Sequence, residues 1–181
     1  MNEQNTKIAK IQKSSNIAMI FSRIAKILCI VFAVMLFLSS LLFLGLRNIL
    51  EGEFAAAIES GAISADDFSF AFFGLSFSPS TLTGQSLVIR LIVYLFFLGI
   101  IMSCLAVLFH FVSKVFREIK ESYSPFQPSV IKNLKIAFIL IVILSLQSSL
   151  LLGAVIGFSL WCTLHIFEYG CELQKQSDEI L

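Results

Sequence analysis

Near the end of the chain stand four side chains whose types and spacing could do chemistry: Cys162, His165, Glu168 and Glu172. Intervals of three, three and four residues put them on one helical face, and sulfur, imidazole and carboxylate presented together can hold a transition metal. The competing reading is interfacial. His165 and Glu168 fall where an uncharged stretch gives way to a polar tail, so their tips reach water, and Glu172 belongs to that tail. We favour the interfacial reading and expect no metal site and no cofactor.

His110 poses the same question at the end of another uncharged stretch, and it could approach His165 if both stretches end on one side. An ionisable residue inside a membrane is a functional suspect. Both histidines, however, lie in the last turn or two of their segments, where snorkelling to the interface accounts for them. No Asp, Glu, Lys or Arg lies deep in any apolar segment, so a proton relay, an ion-coupled transporter or a channel has no evident machinery. Zinc-protease motifs, glycine-rich phosphate loops, nucleophile elbows and paired carboxylates are all missing from the sequence. No catalytic residue is assigned and a non-enzyme is expected, with a small transporter or an intramembrane enzyme as the alternative.

The elements that carry these residues are set by the apolar pattern. The chain is 57% hydrophobic, against about 45–50% for a soluble domain, and its mean hydropathy is +0.91. It reads as one all-α integral membrane domain whose main surroundings are the lipid bilayer. Residues 27–46 and 91–112 carry no charge, and each is long enough to cross a hydrocarbon core of roughly 30 Å. A third stretch, 136–167, is 32 residues without charge. That is too long for one pass and short for two. Gln147, Ser148 and Ser149 near its middle suit a turn in water, so we expect a short, tight helical hairpin with spans of about 132–147 and 151–168. Four spans follow.

Bases fix the orientation. Five precede the first span (Lys7, Lys10, Lys13, Arg23, Lys26), two flank the following loop (Arg47, Arg90), and five stand in the next connection (Lys114, Arg117, Lys120, Lys132, Lys135). The positive-inside bias then makes the N-terminus and residues 113–131 cytoplasmic and residues 47–90 extracytoplasmic. With four spans the tail, 169–181, is cytoplasmic as well. The N-terminal 26 residues read either as a helix on the membrane surface or as a flexible tail. A net charge of +1 with dispersed bases argues against direct nucleic-acid binding. The four cysteines, Cys29, Cys104, Cys162 and Cys171, form no CxxC and read as small buried hydrophobes.

In the loop of residues 47–90, Phe68, Phe70 and Phe72 share one parity, Gly74 breaks the run before Leu75 and Phe77 continue the alternation, and Pro79 closes it. That period suits a small β-hairpin resting on the membrane surface or on the helix ends, with a ligand-binding cap as the other reading. Gly153 and Gly157 form a GxxxG, which lets helix backbones approach closely in lipid. Packing within the chain is favoured over a dimer seam, and the oligomeric state is left open.

Two motifs carry a resemblance. Ser124, Pro125 and Phe126 form a turn before the third span, followed by the basic stretch of residues 130–135, and the chain closes on FEYGCELQKQSDEIL. Together they resemble the uncharacterised bacterial membrane family known as domain of unknown function 2975, whose closing motif is near F-x-Y-G-x-x-L-Q-x-E-S-D-E-T-L. Tyr169, Gly170, Leu173, Gln174, Ser177, Asp178, Glu179 and Leu181 match it, while Gln176 replaces Glu and Ile180 replaces Thr. The resemblance implies four helices with both ends cytoplasmic, no established activity, and pairing with a small helix-turn-helix regulator. On that basis the turn (Ser124, Pro125, Phe126) and the tail (Tyr169, Gly170, Leu173, Gln174, Ser177, Asp178, Glu179) are expected to face a cytoplasmic protein partner. The expected function is that of a regulatory or immunity-like membrane protein.

Overall fold

The computed structural model describes residues 3–62, 70–72, 75–77, 85–122 and 124–180. Helix α1 runs from Glu3 to Gly45 and α2 from Arg47 to Glu59. Two three-residue strands follow, β1 at Phe70–Phe72 and β2 at Leu75–Phe77. Helices α3 (Gln85–Ser122), α4 (Pro128–Ser148) and α5 (Leu150–Ile180) complete the chain.

Local chemistry explains the boundaries. Neither proline nor glycine interrupts residues 3–44, so the polar N-terminal part and the apolar part of α1 propagate as one helix. Helix α2 stops at Gly61, whose φ of 68° is the left-handed conformation of a helix end, and the Ala62 amide returns to the Ala57 carbonyl at 3.0 Å. Pro128 opens α4 at a position that needs no amide donor. Between α4 and α5 a single residue, Ser149, is extended (φ −163°, ψ 137°).

These elements correct the expected fold. The class is all-α, built on four apolar helices long enough to span a membrane, and the expected β-hairpin does not define it. Residues 70–72 and 75–77 do run antiparallel, with Phe70 opposite Phe77, but a bare two-stranded ribbon of that length has little stability of its own. Phe68, Gly74 and Pro79 lie outside the described residues. Nor is the last pair of helices short: α4 has 21 residues and α5 has 31. Gly170 by itself does not end α5, which runs on through the polar tail, where Lys175 and Glu179 pair at 3.9 Å one turn apart. The N-terminal segment is neither a separate surface helix nor a tail, because α1 carries it without a break.

The helices form a row in which α1 packs chiefly on α3, α3 on α4, and α4 on α5. In the antiparallel α1–α3 pair, Ser40 Oγ donates to the Ile92 carbonyl at 3.2 Å near one end, and Lys120 Nζ donates to Asn16 Oδ1 at 2.9 Å near the other. Small side chains make the seam: Ser15, Ser22, Ala33 and Ser40 are buried along α1. Ser15 and Ser22, like Ala33 and Ser40, are seven residues apart, the spacing of a helix–helix contact line. Phe37 lies edge-on to Phe96, 5.4 Å between centroids, and a Cβ on Gly99 would come within 2.9 Å of the Phe37 ring. Outward faces are apolar, as lipid contact requires: Leu38, Leu41, Leu151 and Phe158 are all exposed. Other hydroxyls inside the spans bond one turn back, Ser103 to the Gly99 carbonyl at 2.9 Å and Ser145 to that of Ile141 at 2.7 Å.

Candidate functional site

The polar detail of the chain converges at one end of the row, where α3 stops, α4 starts and α5 returns. Asn133 Nδ2 on α4 donates to Glu118 Oε1 on α3 at 2.9 Å. Ser122 Oγ sits between two carbonyls, 2.7 Å from that of Glu118 and 3.0 Å from that of Ser124. Ser124 Oγ accepts from the Phe126 amide at 3.2 Å and donates to Gln174 Oε1 at 2.6 Å. The turn is thereby closed on itself and tied to α5.

Phe126 completes the tie. Its ring stands 5.8 Å from that of Phe167, centroid to centroid, and a Cβ on Gly170 would fall 2.5 Å from its edge. Phe167, Gly170 and Gln174, spaced three and four residues apart, are thus the inward face of α5. The outward face carries Tyr169 and Leu173, 63% and 48% exposed, with Ser177 and Glu179 exposed beyond them. The side chain of Asp178 lies outside the described residues.

The residues expected to face a partner therefore separate into two groups. Ser124, Phe126, Gly170 and Gln174 spend their contacts on one another, with Pro125 half-buried between the first two, whereas Tyr169, Leu173, Ser177 and Glu179 are open. Gly170→Val should push Phe126 aside. Because that ring is partly exposed and can swing, the expected loss is about 1 kcal/mol, read as a lower melting temperature in detergent with Gly170→Ala falling between. An unchanged melt for Gly170→Val would mean that Phe126 does not rest on α5.

Around His165 the described contacts are local to α5. His165 Nδ1 lies 3.2 Å from Glu168 Oε2, both part-exposed, and the His165 ring is edge-on to Trp161 at 4.8 Å. Among the described residues no three of His, Cys, Asp and Glu come together in a way that could hold a metal. His110 lines a cleft between α1 and α3, so the structure does not bring it to His165. Gly153 and Gly157 both face α4, but unequally. A Cβ on Gly153 would meet Leu146, its Cα included at 3.0 Å, whereas one on Gly157 would sit 3.6 Å from Val142.

The sequence reading missed the α1–α3 cleft, where Arg23 and Lys26 meet Lys114 and Arg117. Helical spacing gave a usable signal, since each pair shares a face one turn apart, but nothing in the sequence said that α1 and α3 would be partners.

Compared with known proteins, the chain matches no family model, no curated protein and no solved structure. It is an integral, multi-span α-helical membrane protein. The family resemblance rests on the residues of its two motifs alone.

Proposed function

We propose that this protein is a non-enzymatic membrane regulator, or an immunity-like protein, that engages a cytoplasmic protein through the outward face of α5. One observation carries the reading: α5 continues beyond its apolar part, is held on one face by the 124–126 turn, and leaves Tyr169 and Leu173 exposed on the other. A helix fixed along one side and bearing an aromatic anchor and an aliphatic one on the other suits docking to a partner groove or helix. The distribution of bases supports a cytoplasmic location for this face. The partner class, a small helix-turn-helix regulator of the kind that members of the resembled family are often encoded beside, comes from the resemblance alone.

Co-purification from mild detergent with the regulator encoded next to this gene tests the reading. Wild type should retain it, and Tyr169→Ala combined with Leu173→Glu should lose it at least about tenfold, as loss of interface anchors does, with an unchanged melting temperature. Equal retention by the double variant, or no retention by wild type, rejects the proposal.

A further inference from the structure

We propose that the α1–α3 cleft binds an anionic phospholipid, with its phosphate headgroup among the basic residues and an acyl chain in the groove that continues from them. The headgroup part is a cleft of about 280 Å³ lined by Arg23, Lys26, Ile27, His110, Ser113, Lys114 and Arg117. Four of these seven are permanent cations, and no carboxylate lines the cleft. Among the described residues, Arg23, Lys26 and Arg117 have no ion pair, while Lys114 stands 5.4 Å from the Phe111 ring centre. So much like charge in one cleft repels itself, and a phosphate relieves that while taking guanidinium and ammonium donors together.

The second observation is independent of charge. Lys26 and His110 also border a largely apolar groove of about 370 Å³, walled by Ile30, Ala33, Val34, Phe37, Ala106 and Val107 and by Ser103, whose hydroxyl is bonded to the Gly99 carbonyl. From Lys26 to Phe37 the groove follows α1 for about 16 Å at the helical rise, which is half of a hydrocarbon core of roughly 30 Å. One end is cationic and the rest is apolar to the depth of one leaflet, which is the shape and polarity of a phospholipid. A soluble phosphate would use the first part only. Buried Ala33 and Ala106 keep the groove open, because larger side chains there would fill it.

The test uses the full-length protein in detergent, with native mass spectrometry and thermal shift as readouts. Added phosphatidylglycerol should bind and raise the melting temperature, while phosphatidylcholine should do neither. Lys26→Gln with Lys114→Gln should weaken phosphatidylglycerol binding by about tenfold or more, since each base near an anionic headgroup adds to the attraction. Val107→Trp, which fills the groove from a side chain 46% exposed, should weaken it as well. Millimolar inorganic phosphate should not displace the lipid. The wild-type comparison of the two lipids and the phosphate competition need no variant, so the proposal can fail even if a substitution prevents folding. Equal binding of both lipids, or of phosphatidylglycerol by the charge variant, overturns it. Displacement by phosphate with no effect of Val107→Trp would assign a soluble anion to the cleft and overturn the lipid.

Discussion

Replacing Gly153 by leucine should lower stability by about 3 kcal/mol, the upper end of what overpacking usually costs, whereas Gly157→Ala should be close to neutral. At Gly153 the obstacle is backbone: the added carbon meets Leu146 Cα at 3.0 Å as well as its side chain, and the two residues flank the one-residue break at Ser149. The Gly153 amide donates to the Ser149 carbonyl at 2.9 Å, so α5 cannot retreat from α4 without opening its own first turn. At Gly157 the nearest atoms, on Val142, stand at 3.6 Å, an ordinary contact, and alanine also improves helix propensity there. Thermal or denaturant unfolding in detergent reads the difference. Equal stabilities for Gly153→Leu and wild type would mean that α4 and α5 do not meet at Leu146.

That asymmetry shows where sequence reading stops. The GxxxG spacing marks a face but is blind to distance from the turn, and only the residue nearer the turn is crowded. The four apolar helices were legible because lipid demands long uncharged runs, and their charge pattern is strong. The span limits were less so, since an apolar window marks what must lie in hydrocarbon while a helix continues until something stops it. Nothing stops α1 upstream of residue 27 or α5 downstream of residue 168, and both run on. The alternating phenylalanines carried a strand period, but three paired residues a side do not add a sheet to the fold.

The candidate site was legible as a set of residues and not as an arrangement. Motif matching picked out Ser124, Phe126, Gly170 and Gln174 together, and they do meet, but on each other. A serine, a glutamine and a glycine under a phenyl ring are what a loop needs in order to dock on a helix, and the same residue types would suit a partner surface equally well. Only the outward position of Tyr169 and Leu173 on α5 separates the two roles, because helical phase relative to the turn is a property of the packed pair. The pairing of α1 with α3 at the cleft was not legible for a related reason: its cations come from two segments some 90 residues apart, about 135 Å of contour as straight helix.

An impermeant thiol reagent applied to intact cells should label a cysteine placed at Glu59 and spare one at Ser129, in a background without the native cysteines. Both positions are exposed, so access depends on the side of the membrane. The expectation joins two independent arguments. Geometry fixes which parts share an end: Asn16 of α1 bonds Lys120 and Gln174 of α5 bonds Ser124, so the N-terminal half of α1 and the end of α5 both lie beside the connection between α3 and α4. Charge chooses the side, with five bases before the first span and five on the adjoining ends of α3 and α4 against two around residues 47–90. A reporter fused after Leu181 that fluoresces only in the cytoplasm should therefore light up. Labelling at Ser129 with protection at Glu59 and a dark reporter would invert the whole molecule, because the contacts at Asn16 and Gln174 forbid moving one terminus without the other. Tyr169 and Leu173 would then face outward from the cell and could not meet a cytoplasmic regulator, while the cationic cleft would sit in the outer leaflet. Labelling as expected with a dark reporter would instead separate α5 from the 124–126 turn, and would have to be accompanied by loss of the Ser124 to Gln174 bond.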